Sequence, residues 1–183
     1  MSIIKEKKIV EKLIKKALEN AITEINISGE LFSEESLRYL VMNEISNEKI
    51  FGTFPNNTNQ SKRLVFEYPY QKNKKIPGTY RPDIASLEID EYGVIKDFNP
   101  LVVELKITHW ATKDIVKCRD YINPNKGRIY FNLAVVVVAP TPKKRNLAIY
   151  KTNERKRLQS QRNTDNLNDL RILFAWIDPK YIK

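Results

Sequence analysis

Cysteine is nearly absent from this chain of 183 residues: Cys118 stands alone, so no intrachain disulfide can form. Histidine is as scarce. His109 is the only one, and without a Cys/His cluster there is neither a structural zinc site nor the basis of a histidine mechanism. Cys118 has no histidine partner placed by sequence, which argues against a thiol nucleophile. Five scattered glycines make no phosphate-cradling loop, so nucleoside-triphosphate hydrolysis has no support. The longest apolar stretch, Leu133 to Pro140, is too short to span a bilayer, and Met1 to Lys16 holds no apolar run of the signal-peptide kind. A soluble protein of a reducing cytoplasm is expected, with no membrane partner.

What is abundant is positive charge. Thirty-two Lys and Arg against 22 Asp and Glu give a net charge of +10, which attracts polyanions and makes nucleic acid the leading partner. A hydrophobic content of 42% over this length suffices for one well-buried core. A single domain is expected over residues 1–183, with a core at about 30–140, an N-terminal helix at 3–22 and a basic C-terminal extension at 141–183.

Ile3, Val10, Leu13, Ile14, Ala17, Leu18 and Ala21 recur at helical spacing and predict an amphipathic first helix. A second helix starts at Ser33, a good N-cap followed by Glu34 and Glu35, and runs through Ile45. Four β-prone runs follow, at 64–68, 80–89, 94–98 and 101–107, and read as an antiparallel meander. A helix at 112–122 and a strand at 128–139 come next, the latter with a Val run suited to a central strand covered on both faces. A last strand is expected at 171–177. This order predicts an α/β fold in which a mixed β-sheet is flanked by α-helices.

Two short segments carry the chemistry: Arg81-Pro82-Asp83-Ile84 and Leu101-Val102-Val103-Glu104-Leu105-Lys106-Ile107. Strand side chains alternate, so Glu104 and Lys106 share one face while Val103, Leu105 and Ile107 share the other. Charges inside an apolar strand are costly unless they are paired or ligate an ion. Mg²⁺ prefers one or two carboxylates plus water and phosphate oxygens, so Asp83, Glu104 and the backbone carbonyl of Leu105 make an open site in which Mn²⁺ can substitute. Lys106 would then orient or help deprotonate the attacking water, or stabilise charge on the phosphate. The competing structural account is an internal ion pair of Lys106 with Asp83 or Glu104 that catalyses nothing.

Pro82-Asp83 followed by Glu104-Leu105-Lys106 resembles the signature of the PD-(D/E)xK nuclease superfamily, and the order of elements over about residues 30–140 is similar as well. The resemblance implies a restriction-endonuclease-like core and a metal-dependent DNA nuclease that hydrolyses phosphodiester bonds, most simply as an endonuclease. It also implies a helix carboxylate completing the metal site. Ser33-Glu34-Glu35-Ser36-Leu37-Arg38 looks like that segment, and Glu34 is chosen over Glu35 because it shares the inward face with Leu37 and Val41. Some branches carry Gln-x-x-x-Tyr on the next helix. Here Lys117 replaces the glutamine, and Lys117 with Tyr121 is expected either to touch nucleic acid or to be a solvated charge beside a packed aromatic.

Lys74 and Lys75, Lys143, Lys144 and Arg145, and Arg155, Lys156 and Arg157 are the natural phosphate-backbone contacts. Neither site nor charge distinguishes DNA from RNA. Cutting both strands with one small domain requires a homodimer. The rival reading is a catalytically inactive nucleic-acid-binding module on the same fold.

Overall fold

The computed structural model describes residues 2–28, 33–52, 61–71, 79–107, 112–139, 170–177 and 181. Helix α1 (Ile3–Ser28) runs six residues beyond its predicted end. It buries Val10, Leu13, Ile14, Ala17, Leu18, Ala21 and Ile25, one stripe at three- and four-residue spacing. Helix α2 (Glu34–Ser46) begins where Ser33 Oγ accepts the N–H of Ser36 at 3.0 Å, satisfying a donor that the first turn leaves without an intrahelical partner. Leu37, Val41 and Ile45 are its buried stripe.

The strands are β1 (Lys62–Phe66), β2 (Tyr70–Gln71), β3 (Thr79–Tyr80), β4 (Ile84–Glu88), β5 (Phe98–Lys106), β6 (Tyr130–Val138) and β7 (Ile172–Trp176), with helix α3 (Thr112–Tyr121) between β5 and β6. Five of them form a mixed sheet in the order β1-β4-β5-β6-β7. The β1-β4-β5 part is antiparallel and the β5-β6-β7 part parallel. The chain is thus an α/β protein whose sheet has α1 and α2 against one face and α3 against the other.

Three details depart from the expected pattern. The run at 80–89 is divided at Arg81–Asp83, where Pro82 has no N–H for a ladder, so β2 and β3 form a separate two-stranded ribbon. Residues 94–98 are mostly connection: Asp90 Oδ1 accepts the N–H groups of Tyr92 and Val94, turning the chain, and β5 begins only at Phe98. The Val-rich β6 is interior, as its two-sided burial demands, but β5 holds the middle of the sheet. The hydrophobic core also reaches past residues 30–140, since α1 and β7 both contribute buried side chains to it.

Buried Asn99 sets the β4–β5 register. Its Oδ1 accepts the N–H of Glu88 at 2.8 Å and its Nδ2 donates to the carbonyl of Lys96 at 2.8 Å, bracing the connection from inside. Ile84 then pairs with Val103, so Asp83 follows the same register to a position across from Glu104.

Candidate active site

Alternation along β5 divides its side chains as the sequence implies. Leu101, Val103 and Leu105 enter the core under α1 and α2, whereas Val102 joins the apolar cluster under α3. Glu104 and Lys106 share the α3 side, and each meets a residue of that helix. The C-terminal end of β5 therefore carries polar chemistry on an otherwise apolar strand.

Glu104 is 1% exposed, yet both of its carboxylate oxygens are bonded. Oε1 accepts the hydroxyl of Tyr121 at 2.6 Å and Oε2 accepts from Lys117 Nζ at 2.9 Å. Burial pushes its pKa up and the neighbouring charge of Asp83 adds to the rise. The bonds to Tyr121 and Lys117 pull the other way, leaving a value of about 7.

Asp83 lies where β4 begins. Its Oδ2 accepts the backbone N–H of Leu105 at 2.7 Å, and its Oδ1 accepts from Arg38 NH2 on α2 at 3.3 Å. Arg38 also reaches Glu67 at 3.4 Å and lies over the Phe66 ring, which ties α2 to the end of β1. Glu34 stands one helical turn before Arg38. Burial raises its pKa first and Asp83 raises it further, against the opposing influence of Lys106 and Arg38, so Glu34 shares the field of the group. Glu34 is half-buried and Glu35 exposed.

Two residues missed by sequence reasoning complete the arrangement. Asp114, 2% exposed in the first turn of α3, accepts from Lys117 Nζ at 2.8 Å through Oδ1. Its Oδ2 has no hydrogen-bond partner among the described residues and lies 3.7 Å from Lys106 Nζ. Arg38 is the second, and its only sequence signal was its place four residues after Glu34. Asp114 gave none beyond the ordinary preference for acids at helix starts.

Of the two expectations for this pair, the packed aromatic holds for Tyr121 and the solvated charge does not hold for Lys117. Tyr121 is fully buried, packed against Tyr70 at 4.8 Å and Phe131 at 6.1 Å between ring centres, so its ring is not available to a base. Lys117 is not a solvated charge. Burial disfavours its ammonium, but bonds to Asp114 and Glu104 outweigh that and raise its pKa. Lys106 pairs with Asp114, rather than with Asp83 or Glu104 as the inert-pair account had it.

Lys74, Lys75, Lys143, Lys144, Arg145, Arg155, Lys156, Arg157 and His109 lie outside the described residues. Cys118 is on the buried face of α3, where burial pushes its thiol pKa well up, which disfavours a thiolate nucleophile. Among the described residues no helix is long and apolar enough to cross a membrane.

Two carboxylates, the charge of Asp83 close enough to raise the proton affinity of Glu104, can serve a divalent ion that takes its remaining ligands from water and phosphate. Each carboxylate oxygen has a second lone pair beyond the bond it already accepts. No cluster of three or more His, Cys, Asp or Glu side chains suited to a metal occurs among the described residues. No protein-family model, curated protein or solved structure matches this chain.

Proposed function

We propose that this protein is a metal-dependent deoxyribonuclease with a restriction-endonuclease-like core, hydrolysing phosphodiester bonds at the β4–β5 edge. One observation carries the reading: Asp83 is bonded to the backbone N–H of Leu105, next to Glu104, and Lys106 follows two residues after Glu104 on the same strand face. Asp83, Glu104 and the Leu105 carbonyl would hold Mg²⁺ or Mn²⁺, with Glu34 at the rim. A bound divalent ion neutralises phosphate oxygens and acidifies a water.

The chain's own residues supply the rest. Lys106, anchored by Asp114, presents an ammonium that orients the attacking water and offsets charge gathering on the phosphate. Water oxygen bonds to phosphorus as the bond to the leaving oxygen breaks; the attacking water releases a proton to solvent, and the leaving oxygen takes one up from solvent. Tyr121 keeps the Glu104 carboxylate oriented from beneath. The net charge of +10 supports a polyanionic substrate.

A second reading has its own observation. Both Glu104 oxygens are already engaged, by Tyr121 and Lys117, as they would be in a nucleic-acid-binding module that takes up no metal. Calorimetric titration of Mn²⁺ separates the two. The nuclease gives a binding heat that Glu104→Gln abolishes, whereas the binding module gives none while DNA still binds with a steep salt dependence. For activity, plasmid and single-stranded DNA are incubated with Mn²⁺. Asp83→Asn and Lys106→Met are expected to lose at least about a hundredfold in rate. Equal degradation by wild type and variants overturns the assignment.

A further inference from the structure

Lys117 occupies an unusual place. Among the described residues it is the one ammonium bonded to Glu104, and it is bonded equally closely to Asp114, at 2.9 and 2.8 Å. Both acids are almost wholly buried, and the remaining Asp114 oxygen has no hydrogen bond among the described residues. Two buried carboxylates thus share one close cation, and Lys106 stands further off at 3.7 Å. Such a group holds its charges where water screens them little, and of the two ammonium groups beside it only Lys117 is at hydrogen-bond distance.

We propose that Lys117 is a built-in counter-ion that fills the cation position on Glu104 when no metal is bound, so that a divalent ion must displace its ammonium from Glu104 Oε2. Asp114 is what makes the displacement feasible. With Oδ1 already on Lys117 and Oδ2 without a hydrogen bond among the described residues, Asp114 can keep the released ammonium paired without exposing a bare charge to the interior. The α3 spacing supports this, since Asp114 and Lys117 are three residues apart and adjacent on the helix surface. In this role Lys117 sets metal affinity, and Lys106 stays free of that competition. The inference rests on the proposed metal site and concerns which residue guards it.

Removing a competing unit charge this close to a ligand oxygen should tighten binding by roughly tenfold or more, even at a moderate effective dielectric. The test is Mn²⁺ affinity of the full chain, by calorimetry or by electron paramagnetic resonance of free Mn²⁺. Lys117→Met is expected to bind Mn²⁺ roughly tenfold more tightly than wild type, Lys117→Arg to remain near wild type, and Lys106→Met not to gain affinity. If wild type binds Mn²⁺ through Glu104 and Lys117→Met binds no more tightly, the counter-ion role is overturned and the metal site stands. If neither binds, the metal site itself fails.

Lys117→Met leaves two buried acids without their closest cation, so its metal-free form is checked by circular dichroism. Should it be unfolded, Mn²⁺ restores the folded spectrum if the ion takes the ammonium's place, and failure to restore it overturns the proposal.

Discussion

Asp83 Oδ2 accepts the backbone N–H of Leu105 at 2.7 Å, so the two halves of the sequence signature are bonded directly to each other across the β4–β5 pair. This contact gives Asp83 a structural duty beside any chemical one. Truncating it leaves a buried amide unsatisfied and removes a partner of Arg38. Asp83→Ala should therefore lose about 1–3 kcal/mol more stability than Asp83→Asn, whose side-chain carbonyl still accepts the Leu105 N–H. Urea denaturation at pH 7 makes the comparison. Equal losses would mean that the hydrogen bond contributes nothing to the fold, and a difference makes Asn the cleaner probe of function.

Glu104 gives a stability that depends on pH, with a definite sign. Its pKa is about 7 in the folded protein against 4.5 ordinarily, so the folded state holds this proton more tightly than the unfolded chain does. The associated stability is fully present below about 4.5 and is lost as pH rises through about 7. Glu104→Gln, which cannot ionise, should lose less stability than wild type as pH rises through about 7, with chelator present. Thermal melts across that range read the divergence. A constant offset at every pH would contradict a strained buried carboxylate.

Gly127 supports the site from a distance. A methyl group there would overlap the hydroxyl and ring of Tyr70, which is buried, donates to the Asp120 carbonyl at 3.2 Å and packs edge-on to Tyr121. Neither ring has room to swing away. Gly127→Ala should cost about 1–3 kcal/mol through overpacking. Combining it with Tyr70→Ala should cost less than the sum of the single losses, because the small side chain removes the clash. Additive losses in a double-mutant cycle by chemical denaturation would place the cost elsewhere.

The parts of the site that sequence made legible are those governed by local rules. Ser33 reads as a cap because its hydroxyl can serve a donor three residues away, and it does. Glu104 and Lys106 share a face because strand side chains alternate. What escaped were relationships across long separations. Arg38 finds Asp83 over a span of 45 residues, through the packing of α2 on the sheet. Tyr121 is packed, as one of the two expectations had it, but the bonds of Lys117 to Asp114 and Glu104 depend on how α3 lies over β5 and β6.

By itself, then, the order of residues determined the α/β class, the first two helices, the paired faces of β5 and the excess of positive charge, because periodicity, capping and composition act within a few residues or on the whole chain at once. Only the tertiary structure decided that Lys117 and not Lys106 bonds Glu104, that Asp114 belongs to the group, and that Tyr121 faces inward. Those outcomes follow from Ile115, Cys118 and Tyr121 docking α3 onto Val102 and Val136, a long-range burial that turns its polar edge toward the acidic end of β5.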